Sequence, residues 1–310
     1  VHQRIYQILD SFKQNGMANK LILLHGRNGS AKSSTVETIA AAMEAYSRSQ
    51  EGCVYKFNWI FPKDDFDSPL NPDENSRIGF SKSKNQSQIS SYALLDEKHI
   101  LARITSEFKE NPLFLIPMPY RENMLRTWIS RKYNIRMDDV QIPQHILLNG
   151  LSKQNQQIFE TLFHAYDGNI EKVLKHVQVE RIFLSLQYRV GVSTVEPQMS
   201  IDAREKQITL DKNYAQLPSL LQNISFHQTS GELVEANRGL LEFSDILKRP
   251  VETFKYLLNT VEKGIINLSS GTANLDIVFF ATTNEKHLDA FKTSPDFPSF
   301  KGRFELIPMP

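Results

Sequence analysis

LILLHGRNGSAKSS, residues 21–34, decides the fold. Leu21 to His25 reads as a buried strand, and a turn carrying Gly26 and Gly29 follows at once. Beyond the turn Val36, Ile39, Ala40 and Met43 recur at helical spacing to about Arg48. A strand, a glycine turn and a helix in immediate succession make the first half of a βαβ unit. A strand at 54–61 follows, with Tyr55, Phe57, Trp59 and Phe61 on one face, so the core is expected to be an α/β parallel sheet.

The turn itself carries chemistry. Gly26-Arg27-Asn28-Gly29-Ser30-Ala31-Lys32-Ser33 follows the spacing of a Walker A loop, with Ala31 where that pattern has its last Gly. Two glycines let the backbone turn its N–H groups toward a phosphate, and the helix beginning near Lys32 adds its positive N-terminal end. The residues expected at the nucleotide are Gly26, Asn28, Gly29, Ser30, Ala31, Lys32, Ser33 and Ser34. In this pattern Lys32 bridges the β- and γ-phosphates of ATP and the Ser33 hydroxyl ligates Mg²⁺. Ala31 adds one methyl and is tolerated if its backbone stays in an ordinary region.

Outward from the loop, Ile5, Ile8, Leu9 and Phe12 recur at helical spacing and Gly16 closes a leading helix, residues 1–16. The loop unit occupies 21–61. A polar insertion rich in Ser, Asn, Asp and Lys follows at 62–91, and a helical insertion at 111–189 ends in a second helical run from Ile170 to Tyr188. Short strands are expected between Val190 and Leu217, with Ile201 and Gln207–Leu210 as hairpin candidates. The segment 231–310 holds a strand at Gly239–Phe243, a helix through Phe254, Leu257, Leu258 and Val261 capped by Gly264, and a strand at Asp276–Ala281.

Composition narrows the class. Of 310 residues, 36 are Lys or Arg and 35 Asp or Glu, a net charge of +1, so the basic footprint that nucleic acid selects is lacking. The basic residues in 121–132 and 172–189 alternate with apolar ones as solvated helix faces do. No apolar run reaches the roughly 20 residues that cross a bilayer. The single cysteine, Cys53, cannot form an internal disulfide, which fits a reducing, cytoplasmic setting. A chain that starts at Val1 and ends on apolar residues reads as an excerpt of a longer protein.

A P-loop ATPase needs an acid at the end of a nearby strand. Gly239-Leu-Leu-Glu-Phe-Ser-Asp-Ile246 supplies Asp245 as the water-activating carboxylate, with Ser244 where a magnesium-directed Asp is usual. Glu242, on the same side of the strand as Ser244, either replaces that carboxylate or forms an ion pair at the sheet edge. Asn284 follows the apolar run Ile277–Ala281, placed either to contact a γ-phosphate or to build a turn. Arg303 precedes the last strand-like run and is either a surface charge or a finger reaching a neighbouring subunit's γ-phosphate.

These elements come in the order of an AAA+ ATPase. The run Gly231–Pro250 (GELVEANRGLLEFSDILKRP), the stretch 168–192, the Thr283-Asn284-Glu285 turn and the loop lacking its last Gly resemble the PrkA family, bacterial and archaeal proteins called serine protein kinases. The resemblance implies Gly29, Lys32 and Ser33 at the nucleotide, Asp245 as Walker B acid, Asn284 as sensor 1 and Arg303 as arginine finger. It implies a homo-oligomeric ring with ATP at the subunit junctions and a protein substrate. It also implies a helical lid and a C-terminal region assigned to kinase function, neither of which falls within these residues.

Overall fold

The computed structural model describes residues 1–63, 91–197, 204–207, 221, 227–268 and 271–310. The chain opens on α1 (His2–Asn15), β1 (Leu21–His25), α2 (Lys32–Ser47) and β2 (Val54–Pro62). Then come β3 (Ile100–Thr105), α3 (Met118–Tyr133), α4 (Gln144–Leu148), α5 (Lys153–Ala165), α6 (Ile170–Leu174) and β4 (Val177–Ile182). The second half runs β5 (Val192–Val195), β6 (Arg204–Gln207), β7 (His227–Ser230), α7 (Glu232–Glu235), β8 (Gly239–Phe243) and α8 (Leu257–Lys263). It ends with β9 (Ile265–Asn267), β10 (Thr272–Asn274), β11 (Ile277–Thr283), α9 (Glu285–Lys292), α10 (Phe297–Lys301) and β12 (Phe304–Pro308).

Five parallel strands in the order β12-β1-β11-β8-β5 form the main sheet, flanked by helices. Strand pleat sends alternate residues to opposite faces, and both faces are apolar, as a parallel sheet between two helical layers requires. Leu21, Leu23, Phe243 and Phe279 pack on one side with Leu257 and Val261 of α8, Leu288 of α9 and Phe300 of α10. Ile22, Leu24, Leu240 and Phe280 pack on the other with Ile5, Ile8 and Phe12 of α1 and Val36 and Ala40 of α2. The α1 helix ends where expected, at Gly16 in the left-handed region (φ 69°), and α8 likewise at Gly264 (φ 62°).

Three sequence expectations change. First, β2 does not join β1. It is the middle strand of a separate antiparallel sheet, β3-β2-β4, so 21–61 is not a closed βαβ unit. Residues Phe57 to Phe61 are all buried, with Phe57, Trp59 and Phe61 packed on Ile158 and Leu162 of α5. A strand covered on both faces gives no sign in its own sequence of which sheet it enters. Second, the helical run expected from Ile170 stops after one turn and a half, and 177–182 is the strand β4, fixed by six paired residues from Val54↔Ile182 to Trp59↔Val177. Val177, Val179 and Ile182 are β-branched and favour the strand. Third, Val192–Val195 is the edge strand of the main sheet, while β6 pairs with β7. The expected hairpin residues Ile201 and 208–210, and the polar insertion apart from its ends, lie outside the described residues.

Candidate functional site

Parallel strands place all their C-terminal ends on one edge of the sheet, and loops leaving that edge converge. Here β1 runs into the glycine loop, β11 into Asn284 and β8 into Ser244 and Asp245. Together they line an open cleft of about 350 Å³. Asn28 to Ser34 form one wall, and Ser244, Asp245, Thr282 and Asn284 the other. The strand order sets Asn284 directly beside the loop strand and Asp245 one strand further out.

The loop is built from backbone geometry. Gly29 has φ +82°, a conformation that side chains disfavour, with open space around it. A Cβ on Gly26 would lie 2.7 Å from the Met309 carbonyl, so only glycine fits the junction. The Met309 N–H donates to the His25 carbonyl at 2.7 Å, pinning the last residue of β1 below the loop. Ala31 does not keep the ordinary backbone expected of it: it is left-handed, φ 57° and ψ 26°, the conformation for which the usual glycine is suited. No side chain caps α2, whose first-turn N–H groups therefore remain for a ligand.

Lys32 is buried, and its Nζ donates to the carbonyls of Gly26 (3.1 Å) and Arg27 (2.8 Å). The ammonium thus already sits within the loop. Ser33 is exposed at the cleft. Asp245 is held by its backbone N–H, which donates to Thr282 Oγ1 at 3.0 Å, and its carboxylate pairs with Lys248 Nζ at 2.6 Å. Neither Thr282 nor Lys248 was singled out in the sequence. The i,i+3 spacing of Lys248 from Asp245 was a visible signal, whereas Thr282 reads as ordinary turn chemistry. Asn284 is the N-cap residue of α9, yet its side chain makes no cap hydrogen bond and instead lines the cleft.

Two expected site residues are not brought to the cleft. Glu242 lies one pleat back from Ser244, on the face that carries α2, buried and accepting from Thr194 Oγ1 at 3.3 Å. Burial pushes its carboxyl up to about 7, helped by the nearby charges of Glu37 and Glu196, against the bond from Thr194. It is neither a lining residue nor an ion-paired edge residue. Arg303 sits at the opposite edge of the sheet, since Phe304 pairs with Leu21 while Pro308 pairs with His25. About five strand steps, roughly 16 Å, separate it from its own glycine loop. Its guanidinium pairs with Glu262 of α8 at 2.5 Å and donates to the Ser299 carbonyl at 2.8 Å.

A magnesium ion fits the cleft by donor type: the Ser33 hydroxyl and Asp245 carboxylate are the hard oxygen ligands it prefers. Among the described residues no three His, Cys, Asp or Glu side chains gather into a metal site of their own. A second cleft, of about 370 Å³ and mainly apolar, adjoins the first at Ser34. Ile5, Tyr6 and Leu9 of α1 face Thr35, Thr38 and Ile39 of α2 across it. Among the described residues no helix is long and apolar enough to cross a membrane.

A family model described as the PrkA AAA domain matches residues 78–310. The glycine loop precedes that span and joins it through β1, which lies between β11 and β12. A protein named ATP-dependent protease PrkA, from Bacillus subtilis, is 27% identical over 227 residues, 72% of this chain and 32% of that one. Serine/threonine kinase YeaG from Escherichia coli K12 is 24% identical over 155 residues, 47% of this chain and 23% of that one. The chain therefore spans about a third or less of the curated relatives it matches. The crystal structure of NtrX from Brucella abortus shares 15% identity over 53% of this chain and 37% of that one, with a TM-score of 0.26, too slight a likeness to bear on the fold.

Proposed function

The chain belongs to the PrkA AAA-domain family, and from that premise we propose that it binds ATP with Mg²⁺ in the cleft between the glycine loop and Asp245 and hydrolyses it at subunit junctions. The observation that carries the reading is convergence. Lys32, Ser33, Asp245 and Asn284 come from segments up to 250 residues apart, and all line one cleft of about 350 Å³.

In this reading the free N–H groups of the loop and of the α2 N-terminus receive the phosphates. Lys32 exchanges the carbonyls of Gly26 and Arg27 for β- and γ-phosphate oxygens, a change of partner that keeps a buried ammonium satisfied throughout. The Ser33 hydroxyl and the Asp245 carboxylate would hold the Mg²⁺. Bound there, the ion neutralises charge on the phosphates and polarises the γ-phosphoryl group. Asp245 leaves Lys248 to orient the attacking water and take its proton. Asn284, with no helix cap to serve, holds the γ-phosphate or that water in line. The apolar cleft between α1 and α2 receives the base.

Arg303 is too far from its own cleft to act there, which supports its serving a neighbouring copy in a homo-oligomeric ring. The finger then stabilises charge that develops on the transferring phosphoryl group. The names of the two relatives specify different activities, ATP-dependent protease and serine/threonine kinase. Hydrolysis in the cytoplasm is the reading this segment supports. Transfer to a serine of a protein substrate needs Asp245, or a region beyond these residues, to act on a hydroxyl instead of water.

The test is turnover of labelled ATP with Mg²⁺ and a protein substrate, following free phosphate and phosphoprotein together. Free phosphate, lost in both Lys32→Ala and Asp245→Asn, is the expected result. Phosphoprotein without free phosphate would replace hydrolysis by kinase transfer. Turnover unchanged in Lys32→Ala would remove the cleft assignment.

A further inference from the structure

Directly beneath the cleft, β1 and β11 end on a pair of polar residues in register, His25 and Thr283. Sheet interiors seldom leave polar atoms bare, because a buried donor or acceptor without a partner costs on the order of 1–3 kcal/mol. Yet His25 Nδ1 and Thr283 Oγ1 are both buried, and among the described residues neither has a hydrogen-bond partner. The Glu285 carboxylate lies 3.6 Å from His25 Nδ1, an ion-pair contact at the long edge of hydrogen-bond range. Asp289 and Lys292, also on α9, are the other charged groups that act on the imidazole.

The placement in the chain gives this gap meaning. His25 immediately precedes Gly26 of the phosphate loop, and Glu285 immediately follows Asn284. A contact between them would therefore tie the floor of the loop to the turn that presents Asn284. The Asn284 carbonyl accepts from His287 and Leu288 N–H, each at 3.1 Å, while its side chain does not cap α9, so the placement of the turn sets where that side chain lies in the cleft. We propose that His25 and Glu285 are a positioning pair: the contact between imidazole and carboxylate holds the turn so that Asn284 meets a γ-phosphate in its working position. The inference rests on the ATP-hydrolysis reading of the same cleft. Burial depresses the basicity of His25 in spite of Glu285, so at neutral pH it is the uncharged imidazole that donates from Nδ1 to the carboxylate. Neither residue touches nucleotide, and their effect falls on catalysis through Asn284.

The experiment uses the whole chain with His25→Phe, His25→Gln and Glu285→Gln, measuring ATP dissociation constants, kcat and thermal stability. His25→Phe keeps a planar aromatic ring and removes the donor. It should lower kcat about tenfold, the equivalent of one lost positioning bond, while ATP affinity stays within about twofold. His25→Gln, which can still donate, should recover most of that loss. Unchanged kcat in His25→Phe overturns the proposal. So does joint loss of affinity, kcat and stability without rescue by Gln, which is the signature of simple packing. A nitrogen-resolved imidazole signal separates the proposal from the reading beneath it. If the wild-type chain binds ATP without turnover, a His25 signal that moves with ATP but not ADP, and is still in Glu285→Gln, supports the pair. A signal indifferent to ATP overturns it. Failure to bind ATP at all removes the cleft assignment and the pair with it.

Discussion

Ala31 shows how a single backbone angle can carry functional information. The residue stands where the Walker A spacing has glycine, and its left-handed φ of 57° is what the missing glycine would have supplied at no steric cost. An alanine there stores about 1 kcal/mol of backbone strain beside the phosphate loop. Ala31→Gly is therefore expected to stabilise the protein by about 1 kcal/mol in chemical denaturation, less whatever the added freedom of the unfolded chain takes back. A loss of stability would mean that the methyl packs in some way the angle does not reveal. Glu242 is the contrasting residue. Its position on the strand was readable, but not its burial under α2 beside Thr194, which pushes its carboxyl up to about 7.

Elements that carry their own signal were legible in the sequence. The strand Leu21–His25, the helix opening at Lys32, the strand Gly239–Phe243 and the caps at Gly16 and Gly264 lie where periodicity and glycine placed them. The strand β2 was legible but not the sheet it joins, and β4 was read as helix, because membership of a sheet is decided by partners more than 100 residues away. His176 shows what such a partnership depends on. It is fully buried at the start of β4, donates from Nδ1 to the Ile60 carbonyl at 2.8 Å, and accepts at Nε2 from the Tyr166 hydroxyl at 2.7 Å. Those two bonds fix the neutral tautomer, and burial lowers its pKa to about 4. In the unfolded chain the pKa returns to roughly 6.5, so between these values the unfolded state binds a proton that the fold refuses. Stability from this group is thus complete above about pH 6.5 and falls as pH drops toward 4, by at most about 3 kcal/mol. Urea midpoints between pH 7 and 4.5 should fall less steeply in His176→Gln than in the wild type. Parallel curves would show that His176 is accessible to protons in the fold.

At the scale of the whole molecule, the sheet separates the two halves of the proposed reaction. Its C-terminal edge gathers Lys32, Ser33, Asp245 and Asn284, and its N-terminal edge holds Arg303 against Glu262. One copy can bind nucleotide, but it cannot bring its own arginine to it. The order β12-β1-β11-β8-β5 explains why the glycine loop, Asp245 and Asn284, each read from the end of a strand, come to one cleft. The distance of Arg303 was not legible, because it depends on β12 pairing parallel beside β1, which the arginine's place before the strand does not reveal. The account reduces to one claim, that the active cleft is shared between copies, and mixing two inactive variants tests it. Lys32→Ala leaves the finger intact, and Arg303→Ala leaves the cleft intact. Each alone should lack ATPase activity, while an equal mixture should regain about a quarter of wild-type turnover, the share of junctions that pair a sound cleft with a sound finger. A mixture as inactive as its parts, or an Arg303→Ala chain that hydrolyses ATP like the wild type, would contradict it.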